Sequence, residues 1–293
     1  MINRKIFDII SENRTLSLNQ NLKKGVQIMK KIVFSDVDGT LLNSEHKITS
    51  LTERAIKELK KKGIPFVIIS ARSPSGIYPI LNDYQLNCPI ISYSGALILD
   101  EARNILFHSG MNKIDVKNII AFVEESQFDM AWCIYSLDEW IVKDKSDPRI
   151  IREETIVKAV SKEGTIDSIT DDKINKILCI CNPMKISEIE AKLKSAFPSF
   201  SVVKSSNILL EIMANNITKA TAVETLCSLW NFHLFDTIAF GDNYNDIEML
   251  ELVGNGFLME NAPNELKKRI KQQTNNNDND GIYYALLKMG LID

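Results

Sequence analysis

The chain has 293 residues, of which 45% are hydrophobic and 25% are charged, and its formal net charge is −3. A chain of this length can bury a full apolar core without disulfides or a structural metal. It lacks the basic surplus of nucleic-acid-binding proteins, and no stretch is apolar over the length that crosses a bilayer. We therefore expect a globular protein that binds neither nucleic acid nor a membrane.

The first 28 residues are polar and basic, with weak helical periodicity. They lack the apolar segment of a secretory signal. We interpret residues 1–28 as an N-terminal extension and expect the native domain to begin at Met29. The five cysteines are scattered, mostly within apolar runs, which is typical of buried, reduced thiols in a cytoplasmic protein. They are Cys88, Cys133, Cys179, Cys181 and Cys227.

The first predicted strand, over residues 32–34, is a short apolar run that is typical of a buried parallel strand. A helix is predicted over 51–62, a second strand over 64–69, a helix beginning near Pro74, and a third strand over 90–93. This alternation of strands and helices indicates right-handed βαβ units on a parallel sheet.

The same alternation returns late in the chain, with a helix over 220–230, a strand over 237–240 and a helix over 246–252. Between the two halves the pattern is less regular. Strands are predicted near 131–135, 140–142, 176–181 and 208–212, and helices near 113–125 and 184–196. We therefore predict an α/β fold with a discontinuous, Rossmann-like parallel-sheet core and an inserted α+β domain. The predicted division is core over 29–110, insertion over 111–212 and core over 213–293.

Polar residues follow several of the predicted strands, where ligands bind in parallel α/β sheets. Asp36 and Asp38 follow the first strand, with Gly39 next. Asp-Gly between apolar residues also favours a hairpin turn, but the residues after Leu42 are polar and then helical. Two neighbouring carboxylates repel each other unless a cation offsets their charge. The pair therefore indicates either a turn or a cation site.

Three further polar clusters each indicate a function less specifically than Asp36 and Asp38 do. Lys219 follows Thr218, a predicted N-cap, so it lies in a first helical turn where the helix dipole disfavours a cation. It is either a solvated surface lysine or a partner for an anion such as phosphate. Residues 241–246 pack two carboxylates and two amides into a helix start, which suits Mg²⁺ as well as capping. Ser70 ends the second strand and is either a cap or a phosphate ligand.

These four clusters, in this order, resemble the motifs of the haloacid dehalogenase-like superfamily of phosphotransferases. Residues 36–40 are similar to its first motif, Ser70 to its second, Lys219 to its third and residues 241–246 to its fourth. The order and spacing resemble the Cof-type branch, in which a large α+β cap lies between the second and third motifs. Ala71 departs from the family, which usually has glycine there.

The resemblance implies a Mg²⁺-dependent phosphatase for small phosphorylated metabolites, with sugar phosphates the expected class. It implies that Asp36 attacks phosphorus and that Asp38 acts as general acid and base. It implies that Mg²⁺ is held by the Asp36 carboxylate, the Asp38 carbonyl and Asp242, with Asp246 in support. Phosphate would be bound by Ser70, Lys219, Asn245 and the N–H groups of Val37 and Ala71.

The sequence leaves two other functions open. A phosphomutase would form the same aspartyl-phosphate and return it to the substrate. A regulatory module would accept phosphate without turnover, although Asp38 would then have no use as an acid. Three aromatic residues of the insertion could form a sugar-facing wall or simply pack in the interior, and packing is favoured. They are Trp132, Tyr135 and Trp140.

Overall fold

A computed structural model of the chain describes residues 30–157 and 159–293. The predictions for residues 1–28 and for a start at Met29 lie outside the described residues. Within the described ranges, no helix combines the length and apolar character needed to cross a bilayer.

The described residues form sixteen strands and nine α-helices. The strands are β1 (Ile32–Ser35), β2 (Phe66–Ile69), β3 (Ile90–Ser92), β4 (Leu97–Leu99), β5 (Ile105–His108), β6 (Met111–Asn112), β7 (Met130–Ser136), β8 (Glu139–Val142), β9 (Lys162–Glu163), β10 (Lys173–Ile174), β11 (Lys176–Cys181), β12 (Phe200–Lys204), β13 (Leu209–Ala214), β14 (Thr237–Gly241), β15 (Asn255–Met259) and β16 (Gln273–Thr274). The helices are α1 (Ser50–Lys61), α2 (Pro74–Asp83), α3 (Lys113–Glu125), α4 (Pro148–Val157), α5 (Ile186–Ala196), α6 (Lys219–Trp230), α7 (Ile247–Leu252), α8 (Asn264–Arg269) and α9 (Gly281–Lys288).

The first sheet has eight strands in the order β16-β15-β14-β1-β2-β3-β4-β5. The six strands from β16 to β3 are parallel, and β4 and β5 continue the sheet in antiparallel pairing. Strand β1 lies between β2 and β14, so the early and late segments of the chain meet at the centre of the sheet. The predicted α/β fold with a parallel-sheet core is confirmed.

Both faces of the first sheet are covered, which explains why its strands are apolar throughout. Ile32 and Phe34 share an apolar cluster with residues of α6 and α7. Val33 points to the opposite face and shares a cluster with residues of α1 and α9. Side chains alternate between the two faces of a strand, so a four-residue strand can serve both layers.

The second sheet has six strands in the order β12-β13-β11-β7-β8-β9, and every pair except β8–β9 is antiparallel. One face, with Ile177 and Ile212, packs in a cluster with residues of α3 and α5. The other face, with Leu178 and Met213, belongs to the same apolar cluster as α1 and the first sheet. We call this second face, whose cluster also includes the buried Ile150 of α4, the open face. The predicted domain division at residues 111 and 212 stays a prediction.

Two predicted boundaries are wrong for identifiable reasons. The second strand begins at Phe66 and not at Ile64, because the Ile64 N–H closes the end of α1 by donating to Leu59 and Pro65 has no N–H to donate. The late helix begins at Ile247, because Asp246 belongs to a preceding 3₁₀ turn, Tyr244–Asp246.

Candidate active site

Asp36 directly follows β1 at the carboxyl edge of the parallel strands. Its backbone N–H donates to the carbonyl of Phe240 on β14 at 3.0 Å, which fixes the residue between two central strands. The residue is only 6% exposed. A buried carboxylate needs a charged or hydrogen-bonding partner, because its removal from water is costly.

Lys219 is that partner. It is the first residue of α6, and Thr218 caps the helix as predicted, with its side chain accepting from the Thr221 N–H. The lysine is 1% exposed, and its Nζ lies 2.5 Å from Asp36 Oδ1 and 2.5 Å from Asp246 Oδ1. Burial opposes the charge on Lys219, but the carboxylates of Asp246 and Asp36 outweigh it and raise its pKa. The lysine is therefore a buried cation between two anions and not a solvated surface residue.

Asp246 holds this arrangement together from inside the protein. Its second oxygen, Oδ2, accepts from the backbone N–H groups of Asp242 and Asn243, both at 2.9 Å. Gly241 allows this approach, because a Cβ at position 241 would collide with the Asp246 side chain. With both oxygens engaged and no exposed surface, Asp246 is a structural anchor for Lys219 and for the loop that carries Asp242.

Asp242 faces Asp36 across the strand ends. Its Oδ1 accepts from the Thr40 hydroxyl at 2.8 Å. Gly39 has a φ of +81°, and any Cβ there would strike the Asp242 carboxylate, so only glycine fits this approach. Asn261 donates to the Gly39 carbonyl at 2.8 Å and to Asp242 Oδ2 at 3.4 Å.

The carboxylates of Asp36, Asp242 and Asp246 each offer an oxygen within 4.8 Å of the others. Burial raises the pKa of Asp36, against the opposing effect of Lys219, and burial raises the pKa of Asp242 to about 6. One lysine does not balance three neighbouring carboxylates, and oxygen ligands of this kind suit Mg²⁺. The donor set therefore fits a hard divalent cation.

Asp38 is placed differently from Asp36. Its side chain is exposed and forms a two-point ion pair with Arg72, in which Nε donates to Oδ2 at 2.8 Å and Nη2 donates to Oδ1 at 2.6 Å. Paired hydrogen bonds of this type fix the geometry of both side chains. Asp38 is thus held at the mouth of the site, on the same loop as Asp36.

Three of the predicted phosphate-binding groups lie on the loops that follow β1 and β2. Ser70 follows β2 and is buried, and its hydroxyl accepts from the Arg72 N–H at 3.2 Å. Among the described residues, the N–H groups of Val37 and Ala71 have no hydrogen-bond acceptor. Such unpaired N–H groups at strand ends can hold phosphate oxygens.

A cleft of about 580 Å³ opens beside these groups. Ala71, Lys219 and Asn245 line it on the side of the first sheet, and Glu211 and Met213 of β13 line it on the side of the second sheet. Asn245 is exposed to this cleft, as a ligand-binding amide would be. The cleft is large enough for a small phosphorylated molecule between the two sheets.

The sequence did not predict the contacts of three residues: Thr40, Arg72 and Asn261. Arg72 follows Ser70 and Ala71 directly, and Thr40 ends the first cluster, so both were near recognised motifs. Their signal was position relative to a strand end. Asn261 lies in a segment, residues 259–262, that is similar to the Cof-type branch, but its contact with Gly39 forms only through the fold.

The aromatic residues and cysteines behave as interior residues. The rings of Tyr135 and Trp140 stack at 5.4 Å between centroids, and both residues and Trp132 are buried. The preference for packing over a sugar-facing wall is therefore confirmed. All five cysteines are free and buried.

A family model of haloacid dehalogenase-like hydrolases matches residues 33–286. The chain belongs to the haloacid dehalogenase-like hydrolase family. A Haemophilus influenzae relative with the provisional name of a phosphatase is 36% identical over 259 residues, which cover 88% of this chain and 98% of the relative. A Bacillus subtilis relative, also provisionally named a phosphatase, is 26% identical and covers 89% of this chain and 98% of its own length.

Solved structures of this family share the fold. A haloacid dehalogenase-like hydrolase from Bacteroides thetaiotaomicron has a TM-score of 0.81 and 25% identity, with 88% of this chain and 99% of the other covered. A sugar phosphatase of subclass IIB has a TM-score of 0.76 and 22% identity, with coverage of 89% and 100%. The predicted resemblance to this superfamily and its Cof-type branch is confirmed, and the protein is a phosphatase-type hydrolase.

Proposed function

We propose that this protein is a Mg²⁺-dependent phosphatase that hydrolyses small phosphorylated metabolites, with sugar phosphates the expected class, through an aspartyl-phosphate on Asp36. The observation that carries the proposal is the buried contact of Lys219 with Asp36 and Asp246, beside the carboxylate of Asp242. A fixed cation next to a desolvated carboxylate is what nucleophilic attack on a phosphate requires.

The residues assigned to Mg²⁺ are Asp36 through its carboxylate, Asp38 through its backbone carbonyl, and Asp242. Asp246 supports them through Lys219 and the loop of Asp242. When bound, the ion supplies positive charge that offsets the phosphate and the attacking carboxylate.

The chain's own residues then carry the two steps. Asp36 forms a bond to phosphorus while the leaving oxygen departs with a proton from Asp38. In the second step Asp38 takes a proton from water, which attacks phosphorus and releases Asp36 and inorganic phosphate. Lys219 offsets the charge of the nucleophile and of the phosphoryl group throughout.

Four further groups are assigned to the phosphate oxygens. They are the Ser70 hydroxyl, the Asn245 amide and the N–H groups of Val37 and Ala71. Their placement on three loops, after β1, β2 and β14, supports this assignment, because donors fixed before the reaction cost no reorganisation during it.

The ion pair of Asp38 with Arg72 adds a condition. Arg72 engages both oxygens of the Asp38 carboxylate, whereas a general acid and base must contact the leaving oxygen and the attacking water. We therefore propose that Asp38 leaves Arg72 when substrate binds, and that Arg72 restrains Asp38 between turnovers.

We assign the second sheet the role of a cap over the site, and its residues Glu211 and Met213, which line the cleft opposite Ala71 and Lys219, support this role. A cap that excludes bulk water strengthens charge interactions inside the site. The five free, buried cysteines support a reducing, cytoplasmic location.

Replacement of Asp36 tests the proposal directly. Asp36→Asn should lower Mg²⁺-dependent release of phosphate from p-nitrophenyl phosphate by about four orders of magnitude or more, because it removes the nucleophile. Asp83→Asn is the control, since Asp83 is exposed at the end of α2. Wild-type rates in Asp36→Asn would refute the proposed nucleophile. Phosphate released in excess of enzyme from hexose phosphates separates a phosphatase from a mutase or a phospho-accepting module.

A further inference from the structure

A lysine–glutamate pair lies on the open face of the second sheet, beside the proposed phosphate-binding loop. Lys176 begins β11 and Glu211 lies on the neighbouring strand β13. The register pairs Leu178 with Glu211, so Lys176 and Glu211 are diagonal neighbours on one face. Diagonal residues on adjacent strands are within reach of long side chains.

Lys176 is a nearly buried cation, with 7% of the residue exposed. Its Nζ donates to the carbonyl of Ala71 at 3.0 Å and lies 3.5 Å from Glu211 Oε1. The rings of Tyr135 and Tyr93 lie at 5.5 Å and 5.9 Å from the same nitrogen. A buried ammonium is stable only with such partners, so its position is fixed by groups of both sheets.

Lys176 therefore ties Glu211 to the loop of Ser70 and Ala71. A single ammonium group separates the Glu211 carboxylate from the Ala71 carbonyl. Ala71 and Glu211 both line the cleft that Lys219 and Asn245 also line. A phosphate held by Ala71 and Asn245 would thus place the rest of its molecule near Glu211.

A carboxylate in this position discriminates between leaving groups. It accepts hydrogen bonds from hydroxyl groups, and it repels a second phosphate or a carboxylate. The pair with Lys176 engages Oε1, so the second oxygen can accept from a ligand. Only 15% of the Glu211 side chain is exposed, so its charge is less screened by solvent than that of a surface residue.

We propose that Glu211, positioned by Lys176, is a specificity-determining residue that accepts a hydrogen bond from a hydroxyl of the leaving group. It selects neutral, hydroxyl-bearing monophosphates over substrates whose leaving group carries a further negative charge. The inference rests on the proposed phosphatase function of the same site.

Three substrates test the proposal with Glu211→Gln. Glucose 6-phosphate has hydroxyl donors, p-nitrophenyl phosphate has none in its leaving group, and 3-phosphoglycerate carries a carboxylate. We expect kcat/KM to fall about tenfold for glucose 6-phosphate, as for one charge-assisted hydrogen bond, and to stay unchanged for p-nitrophenyl phosphate. The value for 3-phosphoglycerate should rise, because the repulsive charge is gone.

Glu190→Gln is the matched control. Glu190 forms a lysine–glutamate pair with Lys194 on α5, which packs against the other face of the second sheet. This variant should leave all three values unchanged. Lys176→Met should also lower kcat/KM for glucose 6-phosphate, because it releases the Glu211 carboxylate from its position.

Two results would overturn the inference: an equal change for all three substrates in Glu211→Gln, or a wild-type preference for 3-phosphoglycerate over glucose 6-phosphate. If Lys176→Met fails to fold, the Glu211→Gln result decides alone. Failure of the proposed function looks different, because the wild-type protein would then show no Mg²⁺-dependent hydrolysis of p-nitrophenyl phosphate.

Discussion

The two large sheets of this protein carry their charged residues in different places. The parallel sheet gathers Asp36, Lys219 and Asp246 at its carboxyl edge, where the lysine and the Asp246 side chain are fully buried. The antiparallel sheet is apolar on the face that packs against α3 and α5, and it carries Lys176 and Glu211 on its open face.

The difference indicates that the parallel sheet carries the reaction and that the antiparallel sheet affects the choice of substrate. Charges at the strand ends of the parallel sheet are fixed by backbone pairing on both sides, which suits a reaction that needs groups held in line. On the antiparallel sheet, Glu211 reaches the cleft from a separate segment and is linked to the loop of Ala71 through Lys176. We expect substitutions in the first region to affect every substrate and those in the second to affect particular substrates.

The largest effect is expected for Lys219→Met. Activity should fall by about three orders of magnitude, because a fixed positive charge next to the phosphate is lost. The free energy of unfolding should also fall, by about 3–5 kcal/mol, because two buried carboxylates lose their shared cation. Urea denaturation and phosphate release measure the two effects.

The control for this prediction is Lys117→Met, which breaks an exposed ion pair with Asp167. It should cost under about 1 kcal/mol. If Lys219→Met is as stable as the control, the buried charges do not act as one unit, and the contrast between the two sheets is lost.

Asp38→Asn should lower kcat by a factor that depends on the leaving group of the substrate. We expect kcat for alkyl phosphates to fall about 10²–10⁴-fold, because the leaving oxygen needs a proton. The fall for p-nitrophenyl phosphate should be smaller, since its leaving group departs as a stable anion. Steady-state rates on the two substrates measure this, and equal losses would argue against Asp38 as the acid.

Metal binding should stabilise the fold through the first region. At a Mg²⁺ concentration of about 100 times Kd, the free energy of unfolding should rise by about 2.7 kcal/mol. Thermal melts with and without Mg²⁺ measure the shift, which should be absent in Asp242→Asn and present in Asp83→Asn.

The stabilisation of the fold by Mg²⁺ should depend on pH. Burial raises the pKa of Asp242 to about 6. Its carboxylate is charged above this value and can bind the cation, whereas below it the proton competes with Mg²⁺. The stabilisation should therefore be present at pH 8 and decline as the pH falls through about 6. A shift that persists unchanged at pH 5 would remove Asp242 as a ligand.

The smallest effect is expected for Asn245→Ala. Asn245 is exposed, and its proposed contact is one hydrogen bond to phosphate. Loss of about 1 kcal/mol should raise KM for p-nitrophenyl phosphate about fivefold and leave the melting temperature unchanged. Asn82→Ala, on the exposed end of α2, is the control. An unchanged KM would exclude the amide as a phosphate ligand.

Sequence reasoning reached the parallel core and its polar strand ends because these have local signals. Apolar runs mark strands, and Asp36, Ser70, Lys219 and Asp242 each follow or begin an element at a recognisable position. The resemblance to the superfamily then predicted that these residues, which are far apart in the chain, lie in one site.

Pairings that depend on three-dimensional placement were not predictable in this way. Nothing near Arg72 in sequence reveals that it binds Asp38, and nothing near Asn261 reveals its bonds to Gly39 and Asp242. The contact of Lys176 with Ala71 depends on how the second sheet lies against the loop. Contacts between side chains on separate elements produce no periodic pattern in a single sequence, so they cannot be predicted from it.

The position of β1 between β2 and β14 also has a consequence for how the protein is made. Ile32 pairs with Thr237. The central strand β1 is therefore synthesised well before β14, the strand with which it pairs. Loop closure over this distance slows folding and leaves an apolar strand edge open to aggregation. Hydrolytic activity can therefore arise only after the last third of the chain has emerged, and its recovery on refolding would report the completed fold and no earlier state.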